Sequence, residues 1–158
     1  LEEDLLDAEA SDFCVGVGGY PEKHFEAPNL EADIRHTKEK IEAGGEYIVT
    51  QMFIDNATYF SYVERCREAG IDVPIIPGLK ILTTRRHLTS LPAHFYVNLP
   101  EELVSEVEKA KKDQVLEIGV EWALQQTREL LEQDVPAVHF YVMQNATAIN
   151  ALMSRLDL

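Results

Sequence analysis

The sequence predicts an α/β protein built on an all-parallel sheet, and two observations carry that expectation. Short runs rich in β-branched and aromatic residues recur at 13–17, 47–53, 73–77 and 137–142. Each is apolar throughout rather than alternating, which is the pattern of strands covered on both faces. Between the runs lie stretches with apolar residues at helical spacing. Strand and helix therefore alternate four times, as crossover units between parallel strands do. Two closures are open at this level, a doubly wound sheet and a barrel.

The elements follow in order. The first run, Phe13-Cys14-Val15-Gly16-Val17, leads into two glycines and a turn. Asn29 is placed to cap a helix carrying Leu30, Ile34 and Ile41 on one face, and Gly44-Gly45 ends it where a positive φ is favoured. After the second run, Asp55 or Asn56 opens a helix through Tyr59, Tyr62, Val63 and Cys66, which Gly70 stops. The third run ends in Pro77-Gly78. Residues 100–133 read as helix in two pieces, because the stripe of Leu103, Val104 and Val107 gives way to Val115, Ile118, Trp122 and Leu130 across a lysine run. A last helix covers 146–156.

Composition bounds the function. With 158 residues, 46% hydrophobic and 27% charged, the chain is sized for one core and is neither fibrous nor wholly disordered. A net charge of −14 disfavours nonspecific nucleic-acid binding, which needs a basic face. No run approaches the roughly 18 apolar residues of a membrane span, and the first twelve residues are acidic where a signal peptide is basic. A cytoplasmic protein with no nucleic-acid or membrane partner is expected. Cys14 and Cys66 have no CxxC neighbour and read as reduced packing residues. Charge is uneven, however. Residues 79–100 hold Lys80, Arg85 and Arg86 and no Asp or Glu, which predicts either a site for an anionic ligand or a solvated loop.

Strand ends carry the chemical signal. No GxGxxG, Walker A loop or GxSxG elbow occurs, and the five histidines show no HxH or HExxH spacing, so no metal site is expected. The first strand leads into Tyr20-Pro21-Glu22-Lys23-His24, the second contains Gln51 and is followed by Asp55, and the fourth runs into Tyr141-Val142-Met143-Gln144-Asn145. A glutamine within a buried strand must have its amide paired, by the core or by a ligand. His24 is a general base, a ligand contact or, on its own, a turn residue; His139, between Val138 and Phe140, reads as a satisfied core histidine. Amides, aromatics, a histidine and scattered cations make the kind of lining that holds a large aromatic cofactor.

Taken in order, Gly19-Tyr20-Pro21-Glu22-Lys23-His24, Ala32-Asp33, Lys40, Ala43-Gly44, Thr50-Gln51-Met52-Phe53-Ile54-Asp55, Ala69-Gly70-Ile71, Ile75-Ile76-Pro77-Gly78 and His139-Phe140-Tyr141 resemble the methylenetetrahydrofolate reductase family over most of the chain. The resemblance implies a TIM (β/α)₈ barrel of which residues 1–158 supply the last four βα units, the second half of one catalytic domain. It implies FAD as cofactor, NADH or NADPH as reductant, reduction of 5,10-methylenetetrahydrofolate to 5-methyltetrahydrofolate by a ping-pong sequence, and a homo-oligomer. Carried over by position, Tyr20, His24, Ala27, Asp33, His36 and Lys40 fall where the family contacts FAD, with Asp33 accepting from ribose or adenine donors. Gln51, His87, Leu91, Tyr141 and Met143 fall on the substrate side, where Gln51 meets nicotinamide and pterin in turn. The family's general acid lies in the other half, so no catalytic residue is expected here and the isolated chain is expected to be inactive. His36 and Glu39 depart from the usual asparagine and arginine, and Val142-Met143-Gln144-Asn145 lacks the arginine that faces the folate tail. Arg85 or Arg86 is the expected substitute. Alternatives are another FAD barrel, of the proline dehydrogenase kind, and a half-barrel serving as a binding or assembly module.

Overall fold

Four parallel strands pair in the order in which the chain makes them. A computed structural model describes residues 13–143 and 145–156, so expectations resting on the acidic first twelve residues and on Gln144 lie outside the described residues. The elements are β1 (Gly16–Gly19), α1 (Leu30–Glu42), β2 (Tyr47–Met52), α2 (Asn56–Glu68), β3 (Ile75–Leu79), α3 (His87–Phe95), α4 (Glu101–Lys109), α5 (Val115–Glu132), β4 (His139–Phe140) and α6 (Thr147–Met153). The sheet order is β1-β2-β3-β4, every pair parallel. A doubly wound sheet reverses its winding at a switch point, and this one does not. Sequential winding fits four consecutive units of a (β/α)₈ barrel.

The helix ends follow local chemistry. Asn29 Oδ1 accepts from Ala32 N at 2.8 Å and caps α1. Asp55, not Asn56, caps α2, its Oδ1 accepting from Ala57 N at 2.9 Å. Asn56 is instead buried, and its Nδ2 donates to Gln126 O at 3.0 Å and Glu129 Oε2 at 2.7 Å, tying α2 to α5. The break between α4 and α5 falls on the lysine run as expected. α5 crosses the chain after β3 so closely that a Cβ on Gly119 would lie 2.7 Å from the Leu82 carbonyl carbon. No helix among the described residues is long and apolar enough to cross a membrane.

One core packs Ile48 and Ile75 of the sheet against Ile34 of α1, Tyr59, Tyr62 and Cys66 of α2, and Leu130 of α5. A second gathers Met52, Ile54, Leu82 and Leu91 against α4 and the start of α5, and a third joins Ile81 to α5 and α6. Along β2, Ile48, Thr50 and Met52 are buried while Tyr47, Val49 and Gln51 are half-buried. In these residues alone, one face of β2 is packed and the other is partly open.

Other expectations shift as well. β1 begins three residues late, and Phe13 is 76% exposed. Cys14 is exposed rather than packed; Cys66 is buried, and its thiol is pushed up by desolvation. β3 sits two residues later than its apolar run. In this chain His139 is exposed on the two-residue β4, and its ring meets Tyr141 edge-on at 4.6 Å. α3 was not legible, since Pro92 lies inside it.

Candidate functional site

Two cavities open beside the C-terminal ends of the strands. The first lies beyond β1, where residues 20–27 turn over the first turn of α1. It has a volume of about 490 Å³ and is lined by Tyr20, His24, Asp33, His36, Glu39, Lys40 and Ala43. Five of the six residues expected to contact FAD therefore share one cavity. The sixth, Ala27, is buried outside this lining, and its carbonyl accepts from Lys23 Nζ at 2.8 Å. The turn is held by Asp33, whose Oδ2 accepts from His24 N at 2.7 Å. One carboxylate oxygen of Asp33 thus braces the loop, and the residue also lines the cavity. Lys40 Nζ donates to Gly18 O at 2.6 Å and has two further hydrogens to offer. Tyr20 and His24 meet edge-on at 4.6 Å. His24, His36 and Lys40 are the donors that the phosphates of an anionic dinucleotide require, so the residues present fit FAD.

The second cavity, of about 390 Å³, lies between the ends of β3 and β4 and the start of α6, and its wall includes Lys80, Thr83, His87, Tyr141, Met143 and Asn145. His87, Tyr141 and Met143 are thus brought together as expected, with Met143 82% exposed at the rim. Leu91 is not among them. It is 4% exposed and packs in the core with Leu82 and Leu103, away from the wall on which it was expected. His87 Nδ1 accepts from Thr83 N at 3.2 Å, and burial followed by the Lys80 charge pulls the imidazole below its ordinary range, keeping it neutral. Tyr141 OH donates to Thr50 O at 2.9 Å, which sets its ring across Gly78 and against the backbone beside Gln51. Gln51 is half-buried, and its Oε1 accepts from Met52 N at 3.0 Å while Nε2 donates to no described residue.

The two arginines expected to replace the missing one lie outside this cavity. Arg85 Nη2 donates to Ala110 O at 2.5 Å, and Arg86 is exposed at the start of α3; neither lines the cavity. Lys80 does, with Nζ donating to Tyr141 O at 2.9 Å and its ammonium pulled below the ordinary lysine range by burial.

A clasp between loops was missed in the sequence. Glu22 accepts from Asn98 N at 2.9 Å and from Asn98 Nδ2 at 2.5 Å, and Lys23 Nζ lies 4.7 Å from the centre of the Tyr96 ring. Lys23 and Tyr96 both take positive φ, 115° and 58°, a strained choice for side chains of this size. Its partners are 76 residues apart, a pairing that no local pattern announces. Among the described residues, no group of three His, Cys, Asp or Glu side chains could hold a metal ion.

Comparison with known proteins places this geometry. A family model described as methylenetetrahydrofolate reductase matches residues 4–157. Methylenetetrahydrofolate reductase 1 of Schizosaccharomyces pombe is 32% identical over 149 residues, covering 93% of this chain and 25% of that protein. The 5,10-methylenetetrahydrofolate reductase of Salmonella typhimurium is 31% identical over 150 residues, covering 94% of this chain and 51% of that protein. The chain thus spans a quarter to a half of the length of these relatives. An uncharacterized protein from Clostridium thermocellum that binds two copies of 5-methyl-5,6,7,8-tetrahydrofolic acid shares the fold, with a TM-score of 0.60 at 17% identity over 90% of this chain and 52% of that one. With the family model matched across nearly its whole length, the chain belongs to the methylenetetrahydrofolate reductase family.

Proposed function

We propose that the protein containing this chain reduces 5,10-methylenetetrahydrofolate to 5-methyltetrahydrofolate, using FAD and NADH or NADPH, in the one-carbon metabolism that serves methionine synthesis. Residues 1–158 are read as the second half of one (β/α)₈ catalytic barrel, in a cytoplasmic homo-oligomer. The observation that carries this reading is the first cavity, which gathers Tyr20, His24, Asp33, His36 and Lys40 from a loop and a helix onto one wall. A bound flavin supplies the two-electron relay between nicotinamide and folate. In this reading Lys40 neutralises its phosphates, His36 offers a ring N–H to them, and Asp33 holds the His24 turn in place. Gln51 Nε2 donates to whichever heterocycle is present, adding no charge beside the hydride path. Tyr141 and Met143 wall the folate side.

Among the described residues, no Asp or Glu lines the second cavity, and none is assigned as the proton donor for opening the folate ring. The acid comes from the rest of the barrel. The test is the visible absorbance of the purified intact protein, which shows bound flavin directly, with NADH oxidation by menadione measured for that protein and for the 158-residue chain. Flavin and turnover are expected in the first and no turnover in the second. An intact protein without flavin overturns the reductase reading, and turnover by the isolated chain overturns the half-barrel reading.

A further inference from the structure

The clasp that joins Glu22 and Lys23 to Tyr96 and Asn98 has one fixed end and one end free to swing. Val97 is 3% exposed and packs with Leu82, Leu91 and Leu103, so its neighbours Tyr96 and Asn98 are held to the second core. On the other side, Pro21 and Ala27 are buried, Glu22, Lys23 and His24 between them are half-buried, and Phe25 and Glu26 are exposed. A tip with so few buried apolar contacts belongs to the part of a fold that opens most easily. Its ties are the bond from His24 N to Asp33, the bonds within the turn, and the clasp itself. Both ends of the clasp lie in this chain, and its contacts need nothing from the rest of the barrel.

The two Glu22 oxygens share the Asn98 N–H at 3.0 and 2.9 Å, and one of them also accepts from Nδ2 at 2.5 Å. Against this, Lys23 and Tyr96 both hold positive φ to make their contact, and that strain offsets part of what the contacts contribute. The balance favours closure without locking it. His24, next in the chain after the clasp, lines the first cavity, so a tip that swings out takes part of that wall with it. Every bond of the clasp runs between protein groups, and none of its four residues lines either cavity. It therefore stabilises the closed turn equally with the cavity filled or empty, and such a contact slows entry and exit alike while leaving affinity unchanged. We infer that the clasp is a latch that sets the rate of flavin exchange at the first cavity, with Glu22 and Asn98 as its closing pair. This rests on the flavin reading above.

The experiment compares the intact protein with its Asn98→Ala and Tyr96→Gly variants. Flavin release is followed by the rise in flavin fluorescence on dilution, uptake by mixing flavin-free protein with FAD, and Kd by titration. Asn98→Ala removes the Nδ2 donor and is expected to raise both rate constants about 5-fold, as loss of one hydrogen bond does. Kd is expected to change by less than about twofold, because the latch acts on both directions. Tyr96→Gly removes the ring beneath Lys23 and is expected to raise both rates roughly 3-fold. Glycine is the favoured residue at a left-handed helix end, so this variant carries the test if Asn98→Ala fails to fold. Faster release with unchanged uptake and a weakened Kd makes the clasp part of the flavin wall, and unchanged rates make it a tie with no part in exchange; either result overturns the inference. An unaltered intact protein that holds no flavin overturns the flavin reading itself, and the inference with it.

Discussion

Replacing Asp33 by alanine separates the brace that the structure shows from the ribose contact that the sequence suggests. The carboxylate is 6% exposed, and its Oδ2 accepts from His24 N at 2.7 Å. A hydrogen bond to a charged group contributes about 1.5–3 kcal/mol, and the half-buried His24 amide is not fully rehydrated when it is lost. Within the turn, Lys23 N donates to Tyr20 O at 3.1 Å and Ala27 N to His24 O at 3.0 Å; neither bond fastens residues 20–27 to α1. A loss of about 2 kcal/mol lowers the ratio of ordered to disordered turn about 30-fold. If FAD binds only the ordered turn, its affinity falls by up to the same factor. Asp33→Asn keeps an acceptor and loses about half as much, since a neutral bond contributes about 1 kcal/mol. Urea unfolding and FAD titration of the intact protein measure both quantities. Lost FAD affinity with an unchanged urea midpoint refutes the brace and returns Asp33 to the ligand.

Three further outcomes are expected. Gly119→Ala drives a methyl into the Leu82 backbone and lowers stability by about 1–3 kcal/mol or more, read from the urea midpoint; an unchanged midpoint shows that α5 can retreat. Gln51→Glu places a charge on the half-open face of β2 and weakens folate and nicotinamide binding about 10-fold each while flavin absorbance is retained; loss of one ligand alone contradicts a shared position. Burial holds the Glu22 carboxyl above its ordinary value of 4.5, against the lowering by Asn98, so the folded state keeps its proton to higher pH than the unfolded chain does. Stability contributed by Glu22 therefore falls as pH rises from 4.5 through the folded value, and Glu22→Gln lacks that slope; thermal midpoints of the two proteins that keep a constant difference across the window exclude it.

The α/β class and the helix caps were legible because they depend on near neighbours: Asn29 and Asp55 bond amides three and two residues on. Burial was less so. A continuous apolar run looks the same whether its second face meets a helix layer or a half-open surface, so the alternation along β2 and the exposure of Phe13 and His139 could not be read. Pro92 hid α3, although Leu88 and Leu91 have helical spacing. In the candidate site, the residues lining the first cavity lie within one turn-and-helix unit, and their order along the chain carried them. Lys80 stood out only as one cation in an acid-free stretch; its separation from Arg85 and Arg86 needed the path of the chain after β3. The brace from Asp33 spans nine residues and depends on which oxygen the turn presents, which no motif states.

The clasp of Glu22 and Lys23 on Tyr96 and Asn98 acts as a reversible cross-link. Closing a ring of 76 residues in a free chain costs about 4 kcal/mol of entropy, more than a few exposed polar contacts return. It can close only after pairing of β1, β2 and β3 has already shortened the path between its ends. Such a contact forms last and opens first. Amide exchange at residues 22–27 and 96–98 should accordingly run ahead of exchange in β2, with the first cavity opening at His24 while the sheet beneath stays paired.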